Sequence, residues 1–237
     1  MCRWIAYFST QPILVADVIL RPEHSIVKQR RFLFMHNGAV GGFIDAQVRI
    51  LSQLSHSARL TIQGNTDSEH VFALFLTFLD PHGPWLRDYR PGELEAALER
   101  TVSTLIKVCE PARGWLERDG RTVRSWLSLN IAISDGSTFL ALRFAHPPER
   151  DPPSLYWSSV GGSALDRRYR SHPDGGPDVG DLPRKEHDPH VVVASDPMTR
   201  AKRDGWALMR PGEDSVVDDH GALSPSSPFC GVLLTGL

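Results

Sequence analysis

The order of apolar segments in this chain predicts an α+β fold rather than regular βαβ winding. Strand-like runs cluster in the second half, the element order before them is mixed, and Asp135-Gly136 joins two of the runs with the signature of a tight hairpin. No repeat period is visible, and 237 residues suffice for one substantial core or two small ones.

Trp4 to Phe8 is a short, wholly apolar run with aromatic weight, the pattern of a strand buried on both faces and starting almost at the first residue. Chain ends normally fray, so something has to tie this one into the core. Ile13 to Leu20 reads as a short helix stopped by Pro22. Phe32–Met35 is a second apolar strand, ending in a polar turn at His36-Asn37-Gly38. Ala46, Ile50, Leu51 and Leu54 share a helix face that is broken at Gly64-Asn65. Thr66 or Asp67 then caps a strongly apolar helix, with Glu69 in the capping-box position. Pro91 to Cys109 is the clearest amphipathic helix, with Leu94, Leu98, Val102, Leu105 and Ile106 on one stripe. Leu129–Ser134 and Thr138–Phe144 are the hairpin strands, and a Pro-rich crossing at 147–153 leads to a strand at Leu155–Ser158. Residues 171–190, rich in Pro, Gly, Asp and His, read as a mobile surface loop. Val191–Ala194 is a buried strand, and Trp206–Met209 and Ser215–Val217 are short closing strands.

Hydrophobic residues at 41% and charged residues at 23% are ordinary for a soluble globular chain. With 26 Lys+Arg against 28 Asp+Glu, the net charge of −2 gives no basic surface for nucleic acid. Cys2, Cys109 and Cys230 are odd in number and far apart, so they build neither a disulfide framework nor a zinc pattern. A reducing, cytoplasmic setting is expected, with no metal or other cofactor. Arg3 is the single early basic residue and Asp17 interrupts the apolar run, which argues against a secretory signal. No stretch approaches the roughly 18 uninterrupted apolar residues of a membrane span.

Cys2 is the position with the most chemical content. Removing an initiator Met before a small residue leaves a free α-amine on the same residue as a thiol. Such an amine has a pKa near ~7.7–8, so it serves as a base near neutrality, and one residue supplies nucleophile and base together. The alternative is that Cys2 is simply a small buried hydrophobe. Acyl transfer also needs donors aimed at the developing oxyanion. Asn37-Gly38 offers an amide side chain and a backbone N–H on one rigid turn, although the pair also reads as an ordinary hairpin turn. Gly64-Asn65-Thr66-Asp67-Ser68-Glu69 sets a carboxylate where it can meet a substrate ammonium, or simply caps a helix; the two readings are compatible. His36 has the look of a general base, but with an α-amine present none is needed.

Taken together and in order, Met1-Cys2-Arg3-Trp4-Ile5-Ala6-Tyr7, Phe34-Met35-His36-Asn37-Gly38 and Gly64-Asn65-Thr66-Asp67-Ser68-Glu69 resemble the class II glutamine amidotransferase family, in its Dug3/EgtC-like branch that acts on γ-glutamyl compounds. Leu129-Asn130-Ile131-Ala132, Ser154-Leu155-Tyr156 and Val193-Ala194-Ser195-Asp196-Pro197-Met198-Thr199 agree, and His172-Pro173-Asp174-Gly175 is similar to fungal members. The resemblance covers residues 1–221 as one glutamine amidotransferase type-2 domain and leaves 222–237 as a tail of unknown role. It implies the four-layer αββα sandwich of N-terminal-nucleophile hydrolases. It also implies that Cys2 attacks a γ-carbonyl to form a γ-glutamyl thioester, that Asn37 and Gly38 form the oxyanion hole, and that Asp67, with Thr66 beside it, holds the substrate α-ammonium. Glutathione, a related γ-glutamyl compound or glutamine is the implied substrate, in glutathione catabolism, and a metallopeptidase-like protein is the implied partner. The alternative it leaves is a non-catalytic member acting as a binding or partner subunit of a peptidase complex.

One departure from the family pattern is large. Gln29 is followed at once by Arg30-Arg31-Phe32, where the family carries further strands, one bearing the Arg that clamps the substrate α-carboxylate. Arg31 stands six residues before Asn37, roughly 20 Å along an extended strand, and is too far off to substitute. The sandwich is therefore expected to be incomplete, lacking central strands at an internal deletion near 29–30. A mis-spliced gene model accounts for this better than a shortened isoform or a degenerate relative, because both flanks keep the pattern.

Overall fold

The computed structural model describes residues 5–9, 32–116, 126–135, 138–159, 190–197, 205–217 and 223–225. Cys2, the helix expected at Ile13–Leu20 and residues 171–189 of the loop expected at 171–190 lie outside them, and His190, the last residue of that loop, opens a strand instead. In chain order the elements are β1 (Ile5–Ser9), β2 (Leu33–Val40), α1 (Phe43–Gln53), α2 (His56–Arg59), α3 (Asp67–Leu79), α4 (Pro91–Leu116), β3 (Leu127–Ser134), β4 (Phe139–His146), β5 (Tyr156–Ser158), β6 (His190–Ala194), β7 (Ala207–Leu208), β8 (Glu213–Val217) and β9 (Leu223–Pro225).

The strands form two antiparallel sheets, a five-stranded one in the order β2-β3-β4-β8-β9 and a four-stranded one in the order β1-β6-β5-β7. The fold is α+β, as the element order predicted. Side-chain alternation along β3 and β4 sorts the core into two parts. Leu129, Ile131, Ile133, Leu140 and Leu142 join Ile50, Leu74, Phe75, Leu94, Leu98 and Leu105 in a large core between the five-stranded sheet and α1, α3 and α4. Ala132, Phe139 and Ala141 point the other way and meet Leu155, Val191, Val193 and Met209 in a smaller core between the sheets. Both strands are thus buried on both faces, which is why they read as unbroken apolar runs. The described residues supply three layers of the expected four: helices, sheet, sheet. Within these layers β1 and β2 each lie at a sheet edge.

Three expectations about boundaries need correction. His36-Asn37-Gly38 is not a turn: β2 runs on to Val40, with Asn37 opposite Asn130 and Gly38 opposite Leu129. The chain turns later, at Gly41-Gly42, where Gly42 takes the left-handed backbone (φ 74°) that glycine tolerates. The first helix does not reach Gly64; extended Leu54 ends it, and Ser55 starts α2 by accepting the Ala58 N–H on its Oγ at 3.2 Å. The amphipathic helix runs past Cys109 to Leu116, because apolar periodicity marks the packed stripe and not the helix end. Leu223–Pro225, in the stretch read as a tail, pairs with β8 as an edge strand.

Thr66 is the N-cap of α3, as expected. Its Oγ1 accepts the Glu69 N–H at 3.4 Å, and the Glu69 carboxylate reaches back to the Thr66 N–H at 3.3 Å and the Gly64 N–H at 3.0 Å. Burial pushes the Glu69 carboxyl upward, but the hydrogen bonds from Thr66, Gln63 and Gly64 outweigh it and hold the group below its ordinary value.

Candidate functional site

Ladder parity decides which donors of β2 are spare. In an antiparallel pair alternate residues bond across to the partner and those between point away. Gly41 donates its N–H to the Trp126 carbonyl at 2.6 Å, whereas Val40 donates outward, to Asp67 Oδ2 at 2.8 Å. By the same alternation Gly38, two residues before Val40, directs its N–H off the open edge of the sheet. Gly38 is exposed on that edge, and its backbone is approached too closely for any side chain: a Cβ there would overlap the Ser128 carbonyl and sit 3.0 Å from His36 Nε2.

Asn37 faces the space between the sheets, where its Nδ2 donates to Ser195 Oγ at 3.4 Å. Asn130 lies opposite it on β3 and Arg143 opposite Asn130 on β4, so a polar rung crosses three strands below the apolar inter-sheet core. Asn130 Nδ2 donates to the Pro153 and Ser154 carbonyls at 3.0 and 3.1 Å. Its Oδ1 is buried with no hydrogen-bond partner among the described residues, which favours any donor that arrives there. Arg143, buried, donates to the carbonyls of Pro152, Pro153 and Met209 and to Asp151 Oδ1. Its guanidinium is committed to the segment leading into β5 and is no substitute for a carboxylate clamp. Ser154 Oγ, on that segment, donates to the Ser195 carbonyl at 2.8 Å.

The other face of β2 meets the start of α3. His36 Nδ1 lies 2.9 Å from Ser68 Oγ and Nε2 lies 3.3 Å from the Ser128 carbonyl. A carbonyl only accepts, so the neutral ring donates from Nε2 and takes the Ser68 hydroxyl at Nδ1. Burial lowers the His36 pKa against the opposing pull of Asp67 and the Ser128 carbonyl. Asp67, besides the Val40 N–H, accepts the Ser68 N–H on Oδ1 at 2.8 Å. Thr66 is exposed and occupied with capping.

Of the residues expected to form the site, the structure brings Asn37, Gly38, Asp67 and Thr66 to one end of β2, and Cys2 lies outside the described residues. β1, which begins three residues after Cys2, pairs with β6 so that Ile5 faces Ala194, the residue before Ser195. Asn130, Arg143, Ser154 and Ser195 were given no role from sequence. Asn130, Ser154 and Ser195 stood in ordered motifs, which marks a position without saying what it holds, and Arg143 only in an expected strand. No group of three or more potential metal ligands occurs among the described residues, and no helix among them is long and apolar enough to cross a membrane.

No family model matches the chain. A curated relative, the probable glutamine amidotransferase DUG3 of Saccharomyces cerevisiae, is 32% identical over 183 residues, covering 74% of this chain and 46% of its own length. The chain thus spans about half the length of the curated relative it matches. A glutamine aminotransferase class-II domain protein from Silicibacter pomeroyi is 24% identical with a TM-score of 0.48, over 84% of this chain and 69% of the other. A predicted glutamine amidotransferase from Pseudomonas aeruginosa is 19% identical with a TM-score of 0.40, over 81% and 59%. At these scores the structural likeness carries no argument, and the sequence match stands by itself.

Proposed function

The chain belongs to the glutamine amidotransferase family, and we propose that it is of class II and hydrolyses γ-glutamyl amide bonds through Cys2. The α-amine of Cys2 takes the thiol proton as sulfur attacks the γ-carbonyl. The tetrahedral oxyanion is met by the Gly38 N–H and the Asn37 amide. Its collapse expels the amine, protonated by the α-ammonium, and leaves a γ-glutamyl thioester that water cleaves to glutamate. Asp67 holds the substrate α-ammonium with the acceptor capacity left after Val40 and Ser68. Glutathione and related γ-glutamyl compounds are the substrates of choice in this reading, and the cytoplasm is its setting.

The supporting observation is the outward Gly38 N–H beside Asn37, at the end of the sandwich where β1 begins. Cys2 precedes Ile5 by three peptide links, a reach of at most about 11 Å. Cys2→Ala, and separately an N-terminal extension that buries the amine in a peptide bond, are each expected to reduce glutamate release from glutathione or glutamine to background. Release that survives Cys2→Ala overturns the proposal.

This reading includes the deletion near 29–30. The strands flanking that junction, β1 and β2, are both edge strands, the arrangement a loss of strands between them would leave. A second reading, a subunit that binds γ-glutamyl ligands beside a metallopeptidase-like partner without turning them over, draws on the engagement of both Asp67 oxygens by the protein itself. It predicts ligand-induced stabilisation with no glutamate released.

A further inference from the structure

Ser195 sits where three parts of the molecule meet. It follows β6, the strand paired to β1, and so belongs to the four-stranded sheet. Its Oγ accepts the Asn37 amide of β2, which belongs to the five-stranded sheet. Its carbonyl accepts the Ser154 hydroxyl, whose segment is fastened by Asn130 and Arg143. Ser195 is itself 6% exposed, so these contacts are shielded from water and hold their geometry. Among the described residues the sheets also meet through an apolar cluster and through bonds from Asn130 and Arg143 to the backbone flanking β5 and β7, none of which reaches the Asn37 amide. An Asn side chain turns freely about χ2 unless a partner fixes it.

We propose that Ser195 is the positioning residue of the oxyanion hole, a strut between the sheets that aims the Asn37 amide and sets its separation from β1. The inference rests on the hydrolase reading above. The hydrogen bond occupies one N–H of the Asn37 amide and leaves the other for the developing oxyanion. The polar rung from Arg143 through Asn130 then serves to keep Ser195 itself in place. Ser195 acts through Asn37 and touches no reacting atom.

The test is a double-mutant cycle on γ-glutamyl-4-nitroanilide with an NMR arm that does not need turnover. Ser195→Ala is expected to lower kcat about tenfold while KM stays within about twofold, because aim matters only once charge develops on the oxygen. Ser195→Thr, which keeps the hydroxyl, is expected to restore most of the rate. In an Asn37→Ala background Ser195→Ala is expected to cost nothing further. In parallel, the side-chain amide protons of Asn37 should exchange faster with water in Ser195→Ala than in the wild type. Additive losses in the cycle, or unchanged Asn37 amide exchange, overturn the strut. A wild-type chain that releases no nitroaniline sinks the hydrolase reading instead, and the exchange measurement still decides whether Ser195 holds Asn37. Thermal melts of each variant identify any that fail to fold, and Ser195→Thr carries the test if Ser195→Ala is among them.

Discussion

A single methyl group at position 38 would enter the space of the Ser128 carbonyl, and the His36 ring stands behind it at 3.0 Å. Neither neighbour yields easily: the carbonyl belongs to β3, and the ring is held from both nitrogens. Gly38→Ala is therefore expected to push β2 away from β3, with a stability cost of about 1–3 kcal/mol. In the proposed mechanism the same backbone N–H meets the oxyanion, so its displacement with the strand should lower glutamate release by about a hundredfold or more, a loss of the size seen when one oxyanion donor is removed. A urea melt and a glutamate assay on the same sample check both parts, and an active, fully stable variant would contradict the geometry. At this scale much of the site was legible: an amide, a glycine and a capping carboxylate each announce a chemistry by residue type. Ser195 was not, because a hydroxyl acquires its task from a partner 158 positions earlier, and nothing local records that pairing.

Helix starts carry the acid sensitivity of this fold. Glu93, in the first turn of α4, accepts Arg87 Nη2 and the Arg90 N–H, each at 2.8 Å, and these bonds hold its carboxyl down to about 2. A carboxyl whose folded value lies below the unfolded one contributes its stability in full above roughly pH 4.5 and loses it as pH falls toward 2. Glu93→Gln is thus expected to lower the urea midpoint at pH 7 and to lower it by less at pH 3, where the wild type has already lost part of the contribution. Equal losses at both pH values would refute the assignment. The elements themselves were largely legible, because capping boxes, Gly turns and apolar stripes are local. Their ends were less so. Asn37-Gly38 has the composition of a turn, yet pairing with Asn130 and Leu129 carries the strand through it, so a ladder set by distant residues overrides local preference.

At the scale of the molecule, two cores on either side of the five-stranded sheet explain why α+β could be read from the chain while the packing could not. Continuous apolar runs announce strands buried on both faces, but not which face meets helices and which meets a second sheet. Cys109 belongs to the helical core, where burial pushes its thiol up to about 11 against the influence of Arg49, so it is an inert packing residue and no rival to Cys2. The edge positions of β1 and β2 bear on the proposed deletion between them. Sequencing the transcript across codons 29–30 is expected to reveal an in-frame segment carrying further strands; a continuous message from Gln29 to Arg30 would instead mean that the chain functions with these edges as they stand. One of those edges has a cost outside catalysis. An outward row of N–H groups is a template on which a strand of another copy can grow, and soluble proteins blunt such rows with charge or cover. At β2 the proposed chemistry needs the Gly38 N–H open, and two residues further on the Asp67 carboxylate, clasped to Val40, blunts the row. The accessible donor is thus set beside an acid that discourages a second copy from pairing there.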